Sequence, residues 1–310
     1  MRLHGEVALS WLAAMRRGDW AQAWRQTDRI ELPRRQAQKE PGFTREAHHL
    51  RWDGTPFDGR SVLVRCEHGL GDTLQFIRFV PPLSRIAREV HLLVQPQLLA
   101  LLHGALQLGQ VGNAWSDEPP PAHDVEIEVM ELAYAFRATP ETLPPPHPHL
   151  NHRARGRIAL PPRDGRTRVG LVWATSAWDR SRSIPLRALE PLLRVPRARF
   201  FSLQQGDDAA DVSRQSPIIS LSSQTGEIAD AAAALMQLDL MITVDGMMAH
   251  LAATLGRPTW VLLKHDADWR WMQGRGDSPW YPAMRLFRQP AAGDWDTVVN
   301  EAAKALSAFG

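Results

Sequence analysis

Cysteine occurs once in 310 residues, as Cys66. An intramolecular disulfide and a cysteine-rich zinc site are excluded, and the usage fits a reducing compartment. No stretch approaches the about 20 uninterrupted apolar residues needed to cross a bilayer, and Met1 to Gly5 lacks the apolar core of a signal peptide. A cytoplasmic protein without a transmembrane segment is expected. An excess of one charge is also lacking: 36 Lys and Arg against 34 Asp and Glu leave +2, too balanced for phosphate-backbone attraction, so nucleic acid is not an expected partner. His-Glu-x-x-His and Gly-x-Ser-x-Gly are missing, and His147, His149 and His152 sit in a proline-rich stretch without a fixed scaffold. Neither a metal site nor a serine-hydrolase elbow is expected.

What is present is ordinary globular material, 44% hydrophobic and 23% charged. At roughly 150 residues per domain the length predicts two domains. Val7 to Ile30 reads as two short helices broken at Gly18-Asp19, a hairpin that must dock to bury its apolar face. Pro33 to Gly59 reads as an extended, turn-rich linker. From Ser61, short apolar runs alternate with helical periodicities, which predicts parallel strands with crossover helices. Proline-rich chain between Pro140 and Pro162 interrupts the rhythm, which then resumes to the end. The predicted organisation is a helical hairpin over 1–32, an α/β domain over 33–150, a linker over 151–165 and a second α/β domain over 166–310. A ligand cleft is expected between the two domains, at the carboxyl ends of both sets of strands.

Four stretches carry chemistry. Glu67-His68-Gly69-Leu70-Gly71-Asp72 joins the first strand of the first α/β domain to a helix. Its glycines suit close approach of backbone to a ligand, but a third dinucleotide-fingerprint glycine and a P-loop Gly-Lys-Ser/Thr are missing. Asp72 reads either as a general base or as a helix-capping carboxylate. The loop from Trp173 to Pro185 holds Thr175, Ser176, Arg180 and Arg182, hydroxyls and guanidinium forks suited to a diphosphate; the alternative is a solvated loop. Asp245, Gly246 and Met247 end an apolar strand and open a helix whose N–H groups suit a phosphate. His250 then reads as a ligand contact or as a packing histidine. From Lys264 to Pro282, tryptophans interleave with Arg and Asp, suited to stacking a base or sugar or to packing.

In this order the stretches resemble the glycosyltransferase module at the C-terminus of bacterial tetratricopeptide-repeat proteins, a relative of the ADP-heptose:lipopolysaccharide heptosyltransferases. The resemblance spans most of the chain. It rests on residues 69–79 (GLGDTLQFIRF), 169–174 (VGLVWA), 182–186 (RSIPL) and 202–204 (SLQ). It rests also on 244–252, on Asp268 to Trp271 and on Ser278 to Pro282. Gly18-Asp19-Trp20 looks like the last helical repeat before such a module, here a cap or docking element. The resemblance implies an α/β fold of GT-B architecture, two Rossmann-like domains with parallel sheets facing across a cleft. It further implies that Asp72 deprotonates the acceptor hydroxyl, that Arg182 contacts donor phosphates, and that Asp245, Gly246 and neighbouring N–H groups make donor contacts. Gln204 and Lys264 join the donor side, and His68, Gly69, Gly71 and Gln75 the acceptor side. Two positions depart from the pattern. Gly246-Met247 stand where Thr and a small residue are usual, and His68 stands where Gln is frequent.

The resulting expectation is a metal-independent inverting glycosyltransferase moving a sugar from a nucleoside-diphosphate donor to a glycan or protein hydroxyl. Such an enzyme needs no cofactor beyond the donor as co-substrate, and peripheral membrane contact is compatible with it. A non-catalytic module that binds a nucleotide sugar or a glycan is the alternative, and a nucleotide-sugar epimerase of the same fold is a third.

Overall fold

Short β-branched and leucine-rich runs such as Leu240–Val244 and Thr259–Leu263 bury every residue, the pattern of strands covered on both faces. Around them the computed structural model describes residues 2–44, 50–104, 108–146, 150, 158–175, 177–213 and 216–309. Ser176, His147, His149, His152 and residues 151–157 of the expected linker lie outside the described residues. The chain forms two compact units. One is Met1–Pro145 with Asp268–Gly274, the other Pro146–Ala267 with Arg275–Gly310.

The first unit begins with helices α1 (Arg2–Arg17) and α2 (Trp20–Ala37). Gly18 ends α1 at φ +81°, a conformation costly for any residue with a Cβ. Asp19 then caps α2, its carboxylate accepting from Gln22 N at 3.0 Å. The pair docks as its apolar face requires. Trp20, Ala23 and Trp24 are buried, Trp24 Nε1 donates to the Ala138 carbonyl at 2.7 Å, and Trp11 meets Trp269 edge-on at 5.2 Å.

Pro33 does not open a linker: α2 runs through it to Ala37. The interior proline is tolerated because the residues after it are anchored. Arg34 donates to Glu31 at 2.7 Å and to the Trp52 carbonyl at 2.8 Å, and the Arg35 guanidinium lies 4.5 Å from the centre of the Trp52 ring. Arg51 and Trp52 are pinned in turn, their amides donating to the Glu131 carboxylate at 2.6 and 2.8 Å. The stretch expected to be an extended linker is helix as far as Ala37 and is anchored again at Arg51 and Trp52.

The sheet of this unit is parallel, with strands β1 (Ser61–Arg65), β2 (Glu89–Val94), β3 (Val111–Asn113) and β4 (Val125–Glu128) in the order β3-β2-β1-β4. The helix expected over Thr73 to Ala87 is divided. Helix α3 (Leu70–Phe76) passes through a 3₁₀ turn at Ile77–Phe79 into α4 (Val80–Ser84), whose first turn takes Pro81 and Pro82 where no N–H is needed. Helices α5 (Pro96–Leu102) and α6 (Glu131–Ala135) complete the unit. Val62 pairs with both Val90 and Val125, which places β1 centrally.

The second unit carries six parallel strands, β5 (Thr167–Val172), β6 (Ala198–Ser202), β7 (Ile218–Ser220), β8 (Leu240–Val244), β9 (Thr259–Leu263) and β10 (Met284–Arg288), in the order β10-β9-β8-β5-β6-β7. Between them lie α7 (Glu190–Leu193), α8 (Ile228–Leu235) and α9 (Met247–Thr254), with α10 (Trp295–Ser307) last. One core gathers Val169, Leu171, Ile242, Trp260 and Phe287 from the sheet against Leu192 of α7 and Val298, Val299, Ala302 and Leu306 of α10.

Candidate functional site

Both sheets reverse direction of winding at their first strand, β1 beside β4 and β5 beside β8. Loops leaving the carboxyl ends of such neighbours diverge, and the crevice they leave is where open α/β sheets take ligands. Each unit therefore offers a candidate crevice of its own.

In the first unit Gly69 precedes α3 in extended conformation and Asp72 is the third residue of the helix. The Gly69 amide donates to Asp72 Oδ2 at 2.9 Å, so the carboxylate caps its own helix. Its other oxygen accepts from Arg270 Nη2 at 2.5 Å. Arg270 is anchored further by Gln75 Oε1 at 2.9 Å and Asp268 Oδ1 at 2.8 Å, and lies over the Trp269 ring at 4.5 Å. The capping and base readings of Asp72 are compatible. A carboxylate has about four lone-pair sites, and two remain for a substrate hydroxyl. Gln75 is fully buried and holds Arg270, while Gly71 is the second residue of α3. Local sequence does not pair Arg270 with Asp72, because 198 positions separate them. The available signal was an Arg between two tryptophans.

His68 faces β4. Its Nδ1 lies 3.1 Å from Glu128 Oε1, with the imidazole 59% exposed and the carboxylate 5%. The hydrogen bond to Glu128 holds the imidazolium above the usual range; partial burial opposes it, and the charges of Glu128, Asp72 and Glu67 assist it. With the folded pKa raised, the stabilisation from this pair is full below about pH 6.5 and is lost as pH rises through the folded-state pKa. In an NMR titration of the imidazole we expect a midpoint above the unperturbed value and a fall toward it in Glu128→Gln. A wild-type midpoint at or below the unperturbed value contradicts the assignment. Farther along the crevice, Arg51 bridges Glu67 at 2.6 Å and Glu126 at 3.1 Å, and Arg65 pairs with Glu126.

In the second unit the loop after β5 is a kinked 3₁₀ segment, Ala177–Arg182. The Thr175 amide donates to Ser183 Oγ at 3.0 Å, and its hydroxyl donates to the Asp179 carbonyl at 3.1 Å. Arg182 Nη1 reaches across to the Asp245 carbonyl at the end of β8, 3.2 Å away. Lys264, just past β9, donates to Asp179 Oδ2 at 2.8 Å and to Ser181 Oγ at 2.9 Å. Three strand ends thus bring Arg182 and Lys264 to one place. Nothing in the local sequence marks Asp179, since 85 residues separate it from Lys264.

Gly246 precedes α9 in extended backbone, and a Cβ there would meet Thr175 Cγ2 at 3.4 Å, tight but strain-free. Met247 opens the helix, half-buried. Arg180 is bidentate on Asp208 at 2.6 and 2.7 Å, a paired surface charge. Gln204 is a backbone clamp. Its Oε1 accepts from the Trp173 and Ala174 amides at 3.1 and 3.0 Å, and its Nε2 donates to the Ala174 and Gln205 carbonyls. His250 is buried, its Nδ1 3.1 Å from the Tyr281 hydroxyl. Among the described residues no group of three or more His, Cys, Asp or Glu is arranged to hold a metal ion, and no helix is long and apolar enough to cross a membrane.

Comparison with known proteins places this geometry. The glycosyl transferase family 9 structure from Veillonella parvula DSM 2008 matches with a TM-score of 0.56 over 82% of this chain and 99% of its own, at 10% identity. The E. coli heptosyltransferase WaaC with ADP-2-deoxy-2-fluoro heptose matches at 0.55 over 80% and 100%, with 13% identity. E. coli ADP-heptose lipopolysaccharide heptosyltransferase II matches at 0.55 over 80% and 98%, with 12% identity. The fold is GT-B. At these identities the likeness establishes architecture and leaves chemistry to the residues. No family model matches the chain. In sequence it is similar to Protein FlbA of Caulobacter vibrioides, 23% identical over 290 residues, 84% of this chain and 48% of that protein. The chain therefore spans about half the length of that curated relative. Within the GT-B frame, the Asp72 crevice belongs to the first Rossmann-like unit and the Arg182–Lys264 cluster to the second.

Proposed function

We propose that this protein is a metal-independent, inverting glycosyltransferase that moves a sugar from a nucleoside-diphosphate donor to a hydroxyl of a glycan or protein. The observation that carries the reading is the convergence of Arg182 and Lys264 on the switch-point crevice of a GT-B second unit. Cations there stabilise the leaving nucleoside diphosphate as the bond between the anomeric carbon and the phosphate oxygen breaks and the bond to the acceptor oxygen forms, the task a metal ion performs in other transferases. Thr175, Ser176, Asp245, Gly246 and Met247 complete the donor side, and Asp72 removes the acceptor proton, with His68, Gly69, Gly71 and Gln75 around it. In this reading the remaining assignments are indirect. Gln204 and Arg180 act through the loop they hold in place, and His250 through its packing on Tyr281. The domain division over 33–150 and 166–310, the α1–α2 pair as the last of a run of helical repeats, and a cytoplasmic site of action with peripheral membrane contact belong to the same proposal.

A second reading, a module that binds a nucleotide sugar or glycan without turnover, draws on Asp72, both of whose oxygens are engaged within the protein. Titration calorimetry with ADP-, UDP- and GDP-sugars, followed by a donor-hydrolysis assay, separates the two. The transferase reading expects binding and release of nucleoside diphosphate. Binding without any release supports the module, and absence of binding across the panel contradicts the transferase reading and leaves only a module that binds a glycan.

A further inference from the structure

At Asp179 the backbone (φ −140°, ψ 84°) departs from the 3₁₀ geometry on either side of it. The departure turns its carboxylate inward upon the crevice's own cations. Oδ2 accepts from Lys264 at 2.8 Å, and Oδ1 accepts from the Ser181 amide at 3.1 Å and from the Ser181 hydroxyl. Arg182 Nε lies 3.6 Å from Oδ2, beyond hydrogen-bond reach; the atom is buried and has no hydrogen-bond partner among the described residues. Such a donor costs free energy until an acceptor arrives.

As a purely structural cluster the arrangement is poor. Its ion pairs are a quarter to a third exposed, where such contacts are weak, and one guanidinium N–H is left unsatisfied. As a ligand cradle it makes sense. Ammonium, hydroxyl and guanidinium donors gather around one carboxylate, more donors than its two oxygens satisfy and a set suited to the three oxygens of a phosphate group. Burial does not hold the carboxylate in place. The hydrogen bond from Lys264, followed by that from Ser181, pulls its pKa down to about 2, so it stays an anion throughout the neutral range.

We infer that Asp179 is a built-in occupant of a phosphate site formed by Lys264, Arg182 and Ser181, and that it sets the affinity and selectivity of that site by competing with the incoming anion. The inference rests on the diphosphate reading of this crevice. A singly charged anion gains little by exchanging places with a carboxylate, whereas a phosphate group of higher charge recovers the same contacts and satisfies Arg182 Nε. Asp179 thereby favours diphosphates over the monovalent anions that would otherwise occupy two clustered cations.

The test is calorimetric titration of the full chain at neutral pH and low salt with inorganic pyrophosphate, ADP, UDP and GDP. The variants are Asp179→Asn and Asp179→Ser, both checked by thermal melting, and Asp179→Asn combined with Lys264→Met. Because two part-exposed ion pairs of ordinary strength are released, pyrophosphate should bind about tenfold more tightly to either single variant. The gain should vanish in the double variant. Unchanged or weaker binding in both single variants overturns the inference, as does failure of every form to bind pyrophosphate. Tighter pyrophosphate binding without binding of any nucleoside diphosphate leaves the inference standing and removes the nucleotide-sugar reading. Nucleoside diphosphates binding equally to wild type and variants does the reverse.

Discussion

Asp72→Asn should lower sugar transfer by ~10² to 10⁴-fold, the usual contribution of a positioned general base, while leaving donor affinity within a few-fold of wild type. Asparagine keeps the shape of the side chain, and its carbonyl oxygen can still accept from the Gly69 amide, so the cap of α3 survives. What it loses is the ability to take a proton, together with the ion pair to Arg270, which then faces an amide NH2 that cannot accept. The Arg270 contact fixes the direction of the remaining lone pairs, with Gln75 and Asp268 holding the guanidinium still. Donor binding is assigned to the other unit, so calorimetry with the nucleotide sugar separates a chemical defect from a folding one. Transfer within a few-fold of wild type would remove Asp72 from the chemistry.

The largest expected loss of stability is at Arg34→Ala, by about 3–5 kcal/mol, because the substitution leaves a buried carboxylate without its partner. Arg34 and Glu31 are both 2% exposed. Glu31 Oε1 also accepts from the Leu50 amide at 3.3 Å, and Arg34 holds the Trp52 carbonyl, so the pair joins α2 to the segment that follows it. Replacing both, as Glu31→Gln with Arg34→Met, should recover most of the loss, since it removes both charges together. Urea unfolding followed by circular dichroism measures the difference. A loss under about 1 kcal/mol would place this pair among weak surface contacts.

The parts of the fold legible in the sequence are those with local signals. Alternation of apolar runs with helical periodicity revealed most strands of both units, and Gly18-Asp19 marked the helical break. Of the candidate site, the local sequence marks the segments: Asp72, Thr175, Arg182, Asp245 and Lys264 all lie in the loops or first helical turns that follow strands. Illegible features were those decided by partners distant in sequence. Pro33 signals an end to α2, and only Trp52 and Glu31 show why the helix continues. Strand β10 hides behind Arg285 and Arg288; Arg285 lies over the Phe287 ring at 4.6 Å, so a charged residue covers apolar surface. Gln204 has the chemistry of a ligand contact, and its four backbone bonds are visible only once β5 and β6 lie side by side. Arg270 on Asp72 and Asp179 on Lys264 are pairings that no spacing rule encodes.

The most direct measurement is a crystal structure of the full chain soaked with ADP-, UDP- and GDP-sugars in turn. Diphosphate density is expected against Lys264, Ser181 and Arg182 at the ends of β5, β8 and β9, with Asp179 turned out of the cradle. Diphosphate bound elsewhere on the protein, with Asp179 still on Lys264, would contradict it.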